Sequence, residues 1–211
     1  MLVLHYTGMR DGRSALARLC DPDSRVSAHY MVEEDGAVYA LVDEERRAWH
    51  AGLGAWRGHA DINSRSIGVE LVNPGHEFGY RPFPGPQMES LARLAASILA
   101  RHPIPARNAV GHADIAPDRK EDPGELFDWA WLAARGVGLW PGEAPPAPAP
   151  DRATLTALLT RWGYAIERDG DPLPALIAFQ RHFRPSRIDG TADPETVGRL
   201  AALLEMVADA P

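Results

Sequence analysis

The sequence contains only one cysteine, Cys20, among its 211 residues. One thiol cannot form an internal disulfide bond, and it cannot supply the several thiolates of a cysteine-rich metal site. Any metal ion bound by this chain would therefore need imidazole and carboxylate ligands. Long apolar runs are also missing, since no stretch approaches the roughly 18 consecutive apolar residues of a membrane-spanning helix. We therefore expect no membrane span.

Basic residues are outnumbered by acidic ones. The 22 lysines and arginines face 29 aspartates and glutamates, which gives a net charge of −7. Nucleic acids are bound by clustered lysines and arginines, so we expect no nucleic-acid partner. The first residues lack the basic and long apolar regions of a signal peptide. We expect a monomer that is cytoplasmic as the chain stands, or periplasmic if an export segment has been trimmed.

Proline and glycine are abundant, with 19 of each in the chain. Five of the prolines fall within residues 141–150, a composition that favours an extended, semi-rigid segment. Such a segment can separate two folded parts or lie along one of them. We therefore predict a domain over residues 1–140, a proline-rich linker over 141–150 and a smaller domain over 151–211.

Short apolar runs in the first part of the chain predict strands, two of which flank a Glu-Asp-Gly turn. The predicted strands are Leu2–Thr7, Ala28–Glu33, Ala37–Val42 and Ser66–Val72, with a further strand end at Ala109–His112. Apolar residues at helical spacing from Met88 to Leu99 predict an amphipathic helix that ends before Pro103. Strands interleaved with helices indicate an α/β (α+β) domain with a central mixed β-sheet.

The last part of the chain has the pattern of three short helices. Asp151 can cap the first, Leu173–Phe183 carries the apolar spacing of the second, and Asp193 followed by Pro194 is typical of a helix start. We therefore predict a small three-helix module after the linker.

His5 and His112 differ from the other histidines because they interrupt or end apolar strands. A buried imidazole needs partners for both ring nitrogens, and metal ligation is one way to satisfy a nitrogen. Taken singly, such a residue is more often a hydrogen-bonded histidine of the core.

The loop that follows His112 is rich in charge and includes Asp122 before a Pro-Gly turn. One interpretation is a solvated charged loop. The other makes Asp122 a third ligand beside His5 and His112, because two histidines, one carboxylate and an open fourth position form a catalytic zinc site. Zinc lowers the pKa of a bound water toward about 7 and supplies a nucleophile at neutral pH.

Glu70 and Lys120 are candidates for proton transfer and charge stabilisation. Glu70 places a charge in an apolar strand, which is costly unless the charge is paired or functional, and Gly68 leaves room on the same face. The alternative is a glutamate on an edge strand that points to water. Lys120 lies two residues before Asp122, so in an extended loop both side chains would point the same way.

Several segments together carry a resemblance to a known family. In chain order they are His5-Tyr-Thr-Gly8, Ser27-Ala-His-Tyr30, Ala48-Trp-His-Ala-Gly52, Asn63 ahead of Ser66-Ile-Gly-Val-Glu70, and the long segment Gly111–Gly124. Up to about Pro141 the sequence resembles the zinc-dependent N-acetylmuramoyl-L-alanine amidases of the type 2 amidase family, which are related to peptidoglycan recognition proteins.

The resemblance implies one Zn²⁺ per chain, held by His5, His112 and Asp122, with Glu70 as general base and Lys120 stabilising the oxyanion. It implies hydrolysis of the amide between the lactyl group of N-acetylmuramic acid and L-alanine, in peptidoglycan or muropeptides, by a zinc-activated water. The residues that match positions expected to line the substrate groove are His29, Tyr30, Trp49, His50, Asn63 and Arg119.

Aromatic and basic side chains are candidates for contacts with the two halves of such a substrate. Trp49 and Trp56 can offer apolar faces to a sugar, and Arg119 can pair with a carboxylate of the stem peptide. For Trp49 the alternative is packing in the core.

The tail carries a second resemblance, through Trp162-Gly-Tyr164, Ala178-Phe-Gln180, and Ile188-Asp-Gly190 followed by Asp193-Pro-Glu-Thr196. These segments are similar to the three-helix peptidoglycan-binding modules often attached to such amidases. The alternative is a helical appendage that only stabilises the first domain.

Two other functions stay open at this point. The first is a non-catalytic muropeptide-binding protein of the recognition-protein type, which would be expected to lack a ligand or the base. The second is a zinc amidase that acts on a different amide. The choice between intact peptidoglycan and soluble anhydro-muropeptides is also open.

Overall fold

A five-stranded mixed sheet organises the first part of the chain in the computed structural model, which describes residues 1–167 and 170–208. The strands are β1 (Leu2–Tyr6), β2 (Tyr30–Val32), β3 (Val38–Ala40), β4 (Ile67–Leu71) and β5 (Ala109–Gly111), in the spatial order β3-β2-β4-β1-β5. Only the β2–β3 pair is antiparallel. The predicted α/β fold with a central mixed sheet is confirmed.

The parallel register of the central strands places candidate residues side by side. β1 and β4 are neighbours, and His5 of β1 is the register partner of Glu70 of β4. Side chains of register partners point to the same face of a sheet, at the end where both strands terminate. The β2–β3 hairpin is shorter than predicted, because the chain already turns where Glu33 and Ala37 pair across Gly36.

Helices connect and cover the strands. Those within the described residues are α1 (Gly12–Cys20), α2 (Gly75–Phe78), α3 (Gly85–Arg101), α4 (His112–Ile115), α5 (Trp129–Ala133), α6 (Arg152–Trp162), α7 (Leu173–Phe183) and α8 (Pro194–Met206). Asp151 and Asp193 cap α6 and α8 as predicted: the Asp151 side chain accepts the Thr154 N–H, and the Asp193 side chain accepts the Thr196 N–H. The α1 helix was not predicted.

Two apolar clusters lie on the two sides of the sheet. One joins the sheet to α3 and includes Leu4, Val69 and Leu91. The other joins the opposite side to the tail, so that Val3, Val110 and Trp56 pack in one cluster with apolar residues of α6, α7 and α8. The helices after the linker therefore bury part of the first 140 residues rather than standing apart from them.

The proline-rich segment 141–150 lies along α8. The backbone N–H of Ala147 donates to the carbonyl of Pro194 over 2.9 Å. The carbonyl of Pro145 approaches Gly198 so closely that a β-carbon there would collide with it. Of the two arrangements that the composition allows, the segment adopts the one packed against a folded part.

Within the described ranges, the structure contains no helix with both the length and the apolar character needed to cross a bilayer.

Candidate metal centre and groove

Three side-chain atoms meet at the carboxyl end of β1. His5 Nδ1 lies 3.0 Å from His112 Nδ1 and 3.0 Å from Asp122 Oδ2, and His112 Nδ1 lies 3.1 Å from the same carboxylate oxygen. All three residues are buried. His5 is the penultimate residue of β1, and His112 opens α4 directly after β5. Asp122 returns beside them because its carbonyl accepts the Ala113 N–H over 2.9 Å.

A chain of hydrogen bonds fixes the tautomer of His5. The Ser66 hydroxyl donates to the Ile62 carbonyl over 2.6 Å, so it can only accept from His50 Nε2, 3.2 Å away. His50 Nδ1 must then accept from His5 Nε2 over 2.9 Å. Burial, with the neighbouring His112, lowers the pKa of His5 to about 4, so the ring is neutral at pH 7 and its Nδ1 carries a lone pair.

One hydrogen bond orients His112 in the same way. Its Nε2 lies 3.0 Å from the carbonyl oxygen of Ala51, which can only accept. Nε2–H therefore donates to this carbonyl, and Nδ1 is the ring nitrogen that faces His5 and Asp122 and can act as a ligand. Two imidazole lone pairs and a carboxylate oxygen thus point at one another, an arrangement that a cation stabilises.

The spacing of these atoms fits a tetrahedral ion. Ligands at about 2.0–2.1 Å from zinc are separated by roughly 3.3 Å at tetrahedral angles. The three separations of 3.0–3.1 Å are close to that value. The residues present therefore suit a metal ion with two nitrogen ligands and one oxygen ligand.

Glu70 stands next to this cluster on the central strand. Because β4 lies between β1 and β2, the alternative of an edge-strand glutamate is wrong. Glu70 Oε2 is inaccessible to solvent and has no hydrogen-bond partner among the described residues. Burial, reinforced by the nearby Asp122, raises the pKa of Glu70 well above its ordinary value, and Lys120 opposes this shift. A carboxyl of raised pKa is suited to receiving and returning a proton.

Lys120 reaches the cluster by a different route from the one predicted. Its backbone N–H donates to the Ala116 carbonyl over 3.0 Å, so the chain makes a turn here and the loop is not extended. The side chain nevertheless lines the same groove as Glu70 and Asp122. The expectation of a shared location is met, but the geometric reason for it was wrong.

The cluster forms the floor of a groove of about 650 Å³. Of the predicted substrate-contacting residues, Trp49, His50 and Arg119 line it. Trp49 is 56% exposed, which excludes core packing, and the Arg47 guanidinium lies 4.3 Å from its ring centre. Arg119 Nε and Nη2 donate to the carbonyls of Leu53 and Ala51, so only Nη1 is left for a ligand.

His50 also lines the groove, but its ring is mostly committed to the protein. It is 8% exposed, and both ring nitrogens are occupied by His5 and Ser66. Gly68 provides the space, because a β-carbon at that position would overlap the imidazole of His50. His50 therefore fills the space that Gly68 was predicted to leave beside Glu70, and from there it hydrogen-bonds to His5.

Tyr30, His29 and Asn63 lie outside the groove. Tyr30 precedes Met31, the register partner of Glu70, so it points to the opposite face of the sheet, where its hydroxyl donates to Glu44. His29 is fully buried and accepts the Gly68 N–H. Asn63 accepts the backbone N–H groups of His50 and Ala51, and so supports the segment whose residues hydrogen-bond to His5 and His112.

The prediction that Trp56 offers a face to a sugar is wrong. Trp56 is 1% exposed and packs edge-to-face against Trp162 and Tyr164 of the tail. A tryptophan in a Gly-rich loop can serve either a ligand or an interface, and no local pattern distinguishes the two. Sequence reasoning also missed Ser66, whose position directly before the Glu70 strand was the available signal.

Substitution of Ser66 by alanine is expected to weaken zinc binding by about tenfold, the lower end of the effect of losing a second-layer partner. The substitution leaves His50 Nε2–H without its acceptor. The tautomer of His50 is then no longer fixed, and His50 Nδ1 no longer has to accept the Nε2–H of His5. Zinc affinity measured by competition with a chromogenic chelator tests this. Ser97→Ala, an exposed position on α3, is the matched control. Equal affinities in the two variants would contradict the hydrogen-bond chain.

A family model described as N-acetylmuramoyl-L-alanine amidase matches residues 1–125. The curated N-acetylmuramoyl-L-alanine amidase AmiD of Escherichia coli (strain K12) is 43% identical over 230 aligned positions, which cover 97% of this chain and 82% of AmiD. The 1,6-anhydro-N-acetylmuramyl-L-alanine amidase AmpD of Citrobacter freundii is 40% identical over 110 positions, covering 52% of this chain and 57% of AmpD.

Solved structures of similar proteins extend over the whole chain. The complex of Escherichia coli AmiD with anhydro-N-acetylmuramic acid-L-Ala-D-γ-Glu-L-Lys has a TM-score of 0.88 at 42% identity, covering 98% of this chain and 88% of that one. AmpDh3 from Pseudomonas aeruginosa has a TM-score of 0.89 at 34% identity, with coverages of 99% and 92%. The helices after the proline-rich segment therefore have counterparts in both structures.

Proposed function

Because the chain belongs to the N-acetylmuramoyl-L-alanine amidase family, we propose that it hydrolyses the bond between the lactyl group of N-acetylmuramic acid and L-alanine at the centre formed by His5, His112 and Asp122. The observation that carries the proposal is the convergence of three lone pairs beside the buried carboxyl of Glu70, at the floor of an open groove.

We propose that the three residues hold one Zn²⁺ per chain. Two imidazoles and one carboxylate leave a fourth position open, which is the ligand set of a catalytic zinc site. When bound, zinc would polarise water and the scissile carbonyl, and so lower the pKa of the water toward about 7.

The chain's own residues then account for the proton and the developing charge. Glu70 accepts the proton of the attacking water and returns it to the nitrogen of L-alanine, which leaves as the free amine when the C–N bond breaks. Lys120 stabilises the negative charge on the carbonyl oxygen. Its position on the groove lining, close enough to oppose the raised pKa of Glu70, supports this role.

The groove accommodates a ligand with a sugar and a peptide. Its volume of about 650 Å³ falls within the range of small-molecule sites. We propose that Trp49 contacts the sugar and that Arg119 Nη1 contacts a carboxylate of the stem peptide. The AmiD complex and an AmpDh3 complex with an anhydromuramic pentapeptide support a muropeptide as the ligand of this chain.

The decisive experiment is product analysis with two substrates, intact peptidoglycan and an anhydro-muramoyl tripeptide. Each is incubated with the zinc-loaded protein, with the chelator-treated protein and with the chelator-treated protein after zinc is restored. The expected result is release of a peptide with L-alanine at its amino terminus, abolished by chelator and recovered with zinc. Stoichiometric zinc binding without release of peptide from either substrate would instead identify a muropeptide-binding protein.

The same experiment distinguishes a soluble muropeptide substrate from intact peptidoglycan. Cleavage of the tripeptide alone would indicate a soluble substrate, whereas cleavage of both would indicate an enzyme that also acts on the wall. Wall binding by the tail, a monomeric state and the cellular location stay predictions.

A further inference from the structure

The second tail helix, α7, contacts two of the three chain segments that carry the proposed ligands of the metal centre. We propose, on the basis of the metal centre proposed above, that α7 is a positioning element for it: His182 and Arg181 fix the segments that carry His112 and Asp122. Neither His182 nor Arg181 lines the groove itself.

The first contact is made by Asp114, which lies on α4 two residues after His112 and is 2% exposed. Its Oδ2 accepts the Gly111 N–H over 2.8 Å and the Nδ1–H of His182 over 2.7 Å. Its Oδ1 accepts the hydroxyl of Tyr164 over 2.8 Å. One buried carboxylate thus joins the start of α4 to two residues of the tail.

His182 is held in a single orientation by stacking on both sides. Its ring centre lies 3.8 Å from that of Trp129 at an interplanar angle of 20°, and 3.8 Å from that of Phe183 at 7°. The imidazole is 5% exposed, so its donor to Asp114 cannot turn to water. A fixed donor restricts the carboxylate, and through it the short helix that begins at His112.

The second contact reaches the segment on either side of Asp122. Arg181 Nη2 lies 3.3 Å from Glu121 Oε1, and Arg181 Nε lies 3.5 Å from Glu125 Oε2. The Arg181 side chain is only 12% exposed, whereas the side chains of Glu121 and Glu125 are 53% and 29% exposed, so the guanidinium reaches these carboxylates from the interior. One guanidinium therefore connects the residues that flank the carboxylate ligand to α7.

Close packing beside α7 holds Tyr164 in place. Gly163 allows the indole of Trp56 to approach, since a β-carbon at 163 would lie 2.7 Å from that ring. The Arg57 N–H donates to the Gly163 carbonyl over 2.7 Å. These contacts bring the hydroxyl of Tyr164 to Asp114 and fix the tail in one register against the first domain.

Buried polar groups of this kind specify an arrangement more than they add stability. Apolar packing is non-directional, whereas the hydrogen bond of Asp114 to His182 and the ion pair of Arg181 with Glu121 depend on the orientation of α7. The paired residues also lie within three residues of His112 or Asp122: Asp114 follows His112, and Glu121 and Glu125 lie on either side of Asp122. Their position is what a support for the metal centre requires.

The test measures zinc affinity by chelator competition, the visible absorption of the Co²⁺-loaded protein, and the melting temperature, with full-length protein in each case. His182→Leu is expected to weaken zinc binding by about tenfold and to alter the Co²⁺ spectrum. His182→Asn, whose amide N–H can replace Nδ1–H, is expected to restore both. Tyr164→Phe, which removes only a hydroxyl, is the milder variant, with a smaller loss of affinity expected.

Asp151→Ala is the control for general destabilisation of the tail, because Asp151 is exposed and caps α6 by accepting the Thr154 N–H. It is expected to lower the melting temperature while leaving zinc affinity and the Co²⁺ spectrum unchanged. If His182→Leu and Tyr164→Phe behave like Asp151→Ala, the tail stabilises the fold without positioning the centre, and the inference is overturned. If wild-type protein itself fails to bind zinc, the proposed metal centre is wrong as well.

Discussion

Replacement of Glu70 by glutamine lowers kcat for muropeptide hydrolysis by about a thousandfold, within the range expected for loss of a general base. Glutamine keeps the shape of the side chain between β1 and β2 but cannot accept the proton of the attacking water. Zinc affinity is expected to stay within about threefold of wild type, because the three ligand atoms and their hydrogen bonds are unchanged. Steady-state release of the peptide and chelator competition measure the two quantities.

The stability of this variant gives an independent signature. Glu70 Oε2 is buried without a hydrogen-bond partner among the described residues, so the wild-type carboxylate is costly to bury. The free energy of unfolding of metal-free Glu70→Gln is therefore not expected to fall. Glu89→Gln, on the exposed side of α3, is the matched control and should retain wild-type kcat. Full activity in Glu70→Gln would remove Glu70 from the reaction.

Replacement of Asp122 by asparagine weakens zinc binding by about 10²- to 10⁴-fold, since losing the charged partner of a buried ionic site costs about 3–5 kcal/mol. In the metal-free state the effect is expected to differ. An amide N–H can donate to His5 Nδ1 or His112 Nδ1, so melting of metal-free Asp122→Asn should occur no lower than that of metal-free wild type. Calorimetric zinc titration and thermal unfolding with and without zinc test both statements.

Asp118→Asn is the control for this second experiment. Asp118 lies in the same loop and is exposed, so its substitution removes the same charge from the loop without touching the cluster. Its zinc affinity should equal that of wild type. An Asp122→Asn protein that binds zinc as tightly as Asp118→Asn would show that the carboxylate is not a ligand.

The residues that come together at the candidate site could be predicted because each one breaks a local pattern. His5 and Glu70 are polar residues in apolar strands, and parallel pairing then makes them neighbours. Asp122 was identifiable from its place between a charged loop and a Pro-Gly turn. Such residues contradict the structural preferences of their own segments, which is the signal that sequence alone can carry.

The residues that support the candidate site from behind could not be predicted, because each one fits the local pattern of its own segment. His50 occupies the space left by Gly68 from a different part of the chain, and only the folded path brings them together. Trp56 is buried against Trp162 and Tyr164, more than 100 residues away in sequence. Its local sequence does not show this burial, and we therefore predicted wrongly that it contacts a sugar. Asp114 resembled the other charges of its loop, and its partners His182 and Tyr164 lie 68 and 50 residues away in sequence.

The apolar cluster shared by the sheet and the tail cannot form until the tail helices have been synthesised. Trp56 and Val110 leave the ribosome well before α8, their partner in that cluster. At about 5–20 residues per second, the roughly 70 residues after the first domain take about 4–14 s to appear. For that time the nascent domain displays the surface that α6, α7 and α8 later cover. The shared apolar cluster can form only after α6, α7 and α8 have been synthesised, and a product that stops before them would expose an aggregation-prone apolar surface.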